Sequence, residues 1–149
     1  MSKELTWEEI IEKPVGEILH DEFNEGVRFI IMRGPSSLCA YVGVPTSHPL
    51  ANKSYDNLPI DCHGGLTYSG EGGSGKYRPE GFFWYGWDYG HCDDYAFYYD
   101  DQRHSLPELI KNGKKWLVKD VIEDSWSAIY DFKKLIKLTE EIISFPKKG

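Results

Sequence analysis

Apolar residues between positions 27 and 44 fall into two runs, Val-Arg-Phe-Ile-Ile-Met (27–32) and Leu-Cys-Ala-Tyr-Val-Gly-Val (38–44). Both are rich in β-branched and aromatic residues, and Arg33-Gly34-Pro35-Ser36-Ser37 separates them, which predicts a β-hairpin. Phe82 to Tyr89 alternates: Phe83, Tyr85, Trp87 and Tyr89 share one face, and Phe82, Trp84, Gly86 and Asp88 the other. Ile60 to Tyr68 predicts one bent strand or two short ones broken at Gly64-Gly65, and Tyr95 to Tyr99 a further strand. Helical spacing appears at the two ends. Thr6-Trp7-Glu8-Glu9 has the capping-box pattern, with Thr6 as N-cap, and Pro14-Val15-Gly16 closes that helix. Ser105-Leu106-Pro107-Glu108 predicts a short helix with Ser105 as cap, ended by Asn112-Gly113. Val118, Ile122, Trp126, Ile129, Phe132, Ile136 and Ile143 recur at steps of three, four or seven, predicting one long helix from about Trp116 to Ile143, with Lys133, Lys134 and Lys137 on its other face. Asp21 to Glu25 is polar, and Pro45 to Pro59 has no periodicity. There is no internal repeat and no domain linker. The order predicts a single α+β domain over residues 1–149, an antiparallel sheet of short strands with the long C-terminal helix packed on one face.

Composition narrows the partners. At 149 residues the chain can bury a proper core. Its formal charge of −7 repels a polyanion, so a polymeric nucleic acid is not an expected partner. A small anionic ligand needs only a few converging basic groups. There is no signal-peptide core and no run near the roughly 20 apolar residues of a membrane span. Three cysteines without C-x-x-C spacing suit reduced thiols, so the expected setting is the cytoplasm. A homo-oligomer is compatible with the sequence.

The chemistry concentrates between Asp61 and Asp94. Ten of the eighteen positions from Phe82 to Tyr99 are aromatic, beside two histidines and several carboxylates, the usual composition of a small-ligand pocket. Gly70-Glu71-Gly72-Gly73-Ser74-Gly75-Lys76-Tyr77 nearly matches the phosphate-loop pattern. It fails because Tyr77 cannot place a small hydroxyl on magnesium and Arg78-Pro79 cannot open the required helix, so a flexible loop is expected. Cys62-His63 and His91-Cys92 suggest zinc, but neighbours on a strand point to opposite faces, and inert thiols suit Cys39 and Cys62 better. His63 with His91 and Asp61, Asp88 or Asp94 forms the stronger set. Converging at strand ends, these residues could hold a divalent metal ion with open positions or act as a general acid–base pair, each His oriented by an Asp. Gly64-Gly65 would let the backbone approach a ligand and offer N–H groups to an anion.

These residues carry a resemblance. Cys39-Ala40-Tyr41-Val42-Gly43-Val44-Pro45, His48-Pro49-Leu50, Asp61 with His63-Gly64-Gly65-Leu66-Thr67-Tyr68, and Trp84-Tyr85-Gly86-Trp87-Asp88 followed by His91 and Asp94 resemble a widespread family of small bacteriophage and prophage proteins. The likeness covers about residues 39–94 and a Trp/Glu-rich C-terminal helix. The chain departs from the family pattern at Tyr89, where Cys is common, and at Asp93, where Gly is common. The resemblance implies a phage origin, hence a host cytoplasm, and groups His48, His63, Asp88, His91 and Asp94 in one site. It brings no biochemical activity with it.

Two functions follow as expectations. The first is a small hydrolase of the phosphoester class, with or without a divalent metal, acting on a phosphorylated or nucleotide-like small molecule. His63, His91, Asp88 and Asp94 would carry the chemistry. The alternative is a non-catalytic protein that sequesters a nucleotide signal of host antiviral defence. There Tyr68, Trp84 and Trp87 would stack on a ring, while His48, Gly64 and Gly65 line the site.

Overall fold

The computed structural model describes residues 4–73, 77–91 and 93–144, with backbone only at 102–104, 109 and 142–144. It is a five-stranded antiparallel sheet in the order β1-β2-β3-β5-β4, with helices on one face. The strands are β1 (Ile18–Asn24), β2 (Val27–Arg33), β3 (Leu38–Pro45), β4 (Tyr68–Glu71) and β5 (Phe82–Asp88). The helices are α1 (Trp7–Glu12), α2 (Glu108–Lys111), α3 (Val118–Asp124) and α4 (Trp126–Ser144). This is the α+β architecture expected from the sequence, with α4 packed on the sheet. Among the described residues no helix is long and apolar enough to cross a membrane.

Local chemistry explains the elements that were anticipated. Glu9 N–H donates to Thr6 Oγ1 at 3.2 Å, and Thr6 N–H donates to Glu9 Oε1 at 3.0 Å, so α1 opens on a complete capping box. The β2–β3 hairpin pairs from Arg28 with Gly43 to Arg33 with Leu38. Period-2 alternation then assigns the faces. Phe29, Ile31, Leu38, Ala40, Val42, Val44, Phe83, Tyr85 and Trp87 meet Trp7 and Ile10 of α1, Val121 of α3, and Ala128, Ile129, Phe132 and Ile136 of α4. The other face holds a small cluster of Ile30, Met32 and Trp84, edged by Ile18, Tyr41 and Phe82. Two cross-strand pairs there match a large ring with a bare Cα: Trp84 lies over Gly43, and Tyr41 over Gly86.

Several expectations are corrected. β1 arises in a segment read as polar. It is an edge strand with no buried residue, joined to β2 by the two-residue turn Glu25-Gly26 with both φ positive, the turn geometry that matches strand twist. Ile60 to Thr67 is not a strand. It is a loop with a turn at residues 63–64, and pairing begins only at Tyr68. Tyr95 to Tyr99 is not a strand either; a 3₁₀ segment runs from Phe97 to Ser105. Helix α2 starts later than expected, on Pro107 without a side-chain cap.

The expected single C-terminal helix is two, meeting at Ser125. Core positions run through Val121, Ser125, Ala128, Ile129, Phe132 and Ile136. At 3.6 residues per turn this stripe passes Trp126 by, and that side chain is 55% exposed. Trp126 is therefore a surface residue, not a core anchor. The side chain of Ile143 lies outside the described residues.

The glycine-rich connection is anchored where it is described. Gly72 N–H donates to Phe82 O at 3.0 Å, Gly73 N–H to Arg78 O at 2.8 Å, and Trp84 Nε1 to Pro79 O at 3.0 Å. It is the return of a β4–β5 hairpin folded over Trp84. Ser74 to Lys76, the rest of the near-match to a phosphate loop, lie outside the described residues.

Candidate functional site

The site forms where β5 ends and the alternation of its side chains splits. Asp88 belongs to the open face of the sheet, and Tyr89 continues the helix-covered face. His91 follows in a turn that brings Asp94 back, with Asp94 N–H donating to His91 O at 2.9 Å. The segment then pairs with the stretch before α3. Lys114 N–H donates to Asp93 O at 2.9 Å and Tyr95 N–H to Lys114 O at 2.8 Å, which sets Trp116 beside Asp94.

Asp94 is the hub. Its side chain is 2% exposed. Oδ2 accepts from His63 Nε2 at 2.7 Å and from the backbone N–H of His91 at 2.9 Å, and Oδ1 accepts from Trp116 Nε1 at 2.7 Å. An ionised carboxylate only accepts, so a neutral imidazole in this bond carries its proton on Nε2 and has Nδ1 as its acceptor nitrogen. The imidazole is held as firmly from its faces. It stacks on Tyr89, with centroids 4.6 Å apart and planes 13° apart, and meets Trp116 edge-on at 4.9 Å. Tyr89 is itself fixed, its hydroxyl donating to Asp124 Oδ2 at 2.8 Å and accepting from Trp87 Nε1 at 3.0 Å. Burial holds that phenol well above its ordinary pKa. His63 keeps 23% of its side chain exposed, so a rigid polar ring faces solvent from a buried carboxylate.

His91 is the second imidazole. Its ring centroid is 5.9 Å from that of His63, and its Nε2 lies 3.5 Å from Asp88 Oδ1, which also accepts from Gly90 N–H at 3.0 Å. Lys114 adds a cation, with Nζ 3.9 Å from the centroid of the Trp116 indole, the ring that also touches His63.

The structure thus draws His63, His91, Asp88 and Asp94 together and sends other candidates elsewhere. Asp61 turns to α4, its N–H donating to Asp131 Oδ2 at 3.0 Å and its Oδ2 accepting from Ser127 Oγ at 3.4 Å. His48 accepts from Leu50 N–H through Nδ1 at 3.0 Å, with Nε2 3.6 Å from Glu140. Trp84 and Trp87 are core residues at 0% and 2% exposure, so neither offers a face to a ligand. Gly65 N–H is spent on Cys62 O at 3.0 Å and is not an anion donor. Gly64 serves by lacking a side chain, because the ring of His91 occupies the space a β-carbon would need. Tyr68 stands on the open face of the sheet, in β4, with its hydroxyl held by Arg78 at 2.7 Å.

Among the described residues no group of three or more His, Cys, Asp or Glu side chains is placed to hold an ion. Of the expected Cys/His pairs, Cys92 lies outside the described residues. Cys62 is half-buried, and its thiol is pushed up to about 12 by desolvation and then by nearby carboxylates. Burial likewise pushes Cys39 up to about 11. These are reluctant ligands and nucleophiles.

Sequence reasoning missed Trp116, Lys114 and the use made of Tyr89. The alternation of β5 did contain Tyr89 as an inward residue. Nothing local marks Trp116, whose role depends on a pairing with Asp94 across 22 positions. Cavities of about 320 and 560 Å³ lie away from the dyad, the first among Leu5, Leu19, His20 and Ile122, the second beside Tyr130, Lys133 and Lys137 of α4. The His63–Asp94 dyad is fixed by its partners through hydrogen bonds and ring packing. No protein-family model, curated protein or solved structure matches this chain.

Proposed function

We propose that the chain is a small hydrolase acting on a phosphorylated or nucleotide-like small molecule by general acid–base chemistry at His63. The observation that carries this is the 2.7 Å bond between a partly exposed imidazole and a buried Asp94 that accepts from two further donors. A hydrogen-bonded histidine in a surface turn needs no such support, whereas a base whose free nitrogen must be aimed does. In this scheme Nδ1 of His63 takes a proton from water as its oxygen attacks phosphorus. The ester bond breaks, and His91, beside Asp88, protonates the departing oxygen. Lys114 balances charge on the non-bridging oxygens. Burial takes Trp84 and Trp87 out of the stacking platform expected of a sequestering protein and leaves Tyr68, which supports turnover over retention. The phage origin and the host cytoplasm rest on the sequence resemblance alone.

The test is a panel of phosphomonoesters and nucleotides incubated with the unmodified protein, His63→Asn and Asp94→Asn. Phosphate release should appear with the unmodified protein, vanish in His63→Asn, and fall by about two orders of magnitude or more in Asp94→Asn, where the ring loses its orienting acceptor. Equal turnover by all three proteins, or recovery of every compound unchanged, rejects the scheme.

A further inference from the structure

The open face of the sheet ends, at the β4 edge, in a cluster that the dyad does not use. Gly86 of β5 pairs with Tyr41 of β3 on one side and with Tyr68 of β4 on the other. The two phenol rings meet edge-on across it, 5.7 Å apart and at 90°. Arg78, on the return of the β4–β5 hairpin, lays its guanidinium over Tyr68 at 4.2 Å and over Tyr41 at 5.2 Å. Its Nη2 donates to the hydroxyl of Tyr68 at 2.7 Å.

What this arginine lacks is an anion. Among the described residues no carboxylate pairs with it, although acids outnumber bases 24 to 17 in the chain, and its buried Nε has no acceptor. A guanidinium has five N–H donors, and withdrawing it from water against aromatic rings is costly unless those donors are met. Flat, stacked arginines are the usual receptors for oxyanions, because the fork is already oriented before the ligand arrives. The hydroxyl of Tyr68 accepts from Arg78, so its own proton remains to be donated. A carboxylate occupied by the fork has no third oxygen for the phenol, whereas a phosphate has one.

We propose that Arg78 and the Tyr68 hydroxyl bind the phosphate of a small phosphomonoester on the open face of the sheet. The site stands independently of the dyad: it uses other residues, and it remains if His63 proves to be structural. It lies one same-face step along β5 from Asp88.

The experiment follows the Arg78 Nε–H resonance in ¹H–¹⁵N spectra during titration with phenyl phosphate, inorganic phosphate and benzoate. Saturable shifts are expected with both phosphates, and binding of benzoate about tenfold weaker or less. Tyr68→Phe, which keeps the ring and the fold, should weaken phosphate by roughly threefold to tenfold at this resonance. In Arg78→Ala the stabilisation of melting by phenyl phosphate should be lost; Arg78→Lys should not restore it. The same shifts should persist in the His63→Asn/Lys114→Ala double variant, which separates this site from the dyad. An Arg78 resonance that does not move, or Tyr68→Phe titrating like the unmodified protein, overturns the proposal. Benzoate binding as tightly as phenyl phosphate overturns the assignment to phosphate.

Discussion

The imidazole of His91 lies flat against the bare Cα of Gly64, in the space a β-carbon would fill with Cδ2 and Nε2 as its nearest neighbours. Gly64 also has φ +70°, where a side chain is strained. Gly64→Ala should therefore displace His91 and cost about 1–3 kcal/mol, from strain and overpacking together. Urea denaturation measures the cost, and the His91 ring resonances should shift. Gly65→Ala has nothing within 4 Å of its β-carbon and should show the backbone strain alone.

Trp116→Phe keeps an aromatic ring against His63 and Tyr89 but removes the donor to Asp94 Oδ1. Leaving that buried oxygen unmet should cost about 1–3 kcal/mol. Any phosphate release should fall with it, since the Asp94 carboxylate loses one of the contacts that fix its orientation. A variant as stable and as active as the unmodified protein would show that Asp94 is held by the remaining bonds alone.

The two large aromatics of α4 should separate cleanly. Phe132 is fully buried against Tyr85, 5.7 Å between centroids, and Phe132→Ala should cost about 3–5 kcal/mol. Trp126→Ala, at an exposed position, should cost less than about 1 kcal/mol. Thermal and chemical melts of the two variants decide it.

Cys39 and Cys62 should alkylate slowly in the folded protein and rapidly in urea at pH 8.5, as read by peptide-resolved mass spectrometry. Burial raises both thiols above the ordinary 9, to about 11 and about 12. The folded state then holds protons that the unfolded chain releases. The associated stability is complete below about pH 9 and is lost as pH rises toward 11–12. Serine at both positions should flatten that alkaline decline.

What the sequence made legible was whatever a local rule decides. The Thr6–Glu9 box, the 27–44 hairpin and the two faces of β5 follow from capping, turn chemistry and period-2 alternation. β1 was hidden because an edge strand needs no buried stripe: its partner β2 supplies the hydrogen bonds, and Phe23 can stay 63% exposed. Trp126 misled because one residue of phase decides between core and water, and Ser125 holds the core slot beside the Tyr89 hydroxyl at 3.4 Å. His63, His91, Asp88 and Asp94 stood out as a cluster of polar types. Their supports could not, since Trp116 and Lys114 reach the site only through tertiary pairing.

The two ring-over-glycine pairs on the open face have a consequence for how the sheet selects its alignment. Gly43 faces Trp84 and Tyr41 faces Gly86, so each strand offers one bulky and one empty position to the other. Sliding β5 by two residues in one direction would preserve which side chains point inward, yet bring Tyr41 opposite Trp84. Two large rings would then compete for one place, while Gly43 would face Phe82 and Gly86 would face Cys39, so neither recess would receive the ring it fits. Sliding it the other way would set Gly43 against Gly86 and leave the rings no recess. The inward apolar pattern alone tolerates such even-numbered slips; the glycines distinguish them, so the pairing that delivers Asp88 and Tyr89 to the end of the sheet is discriminated from its nearest misalignments.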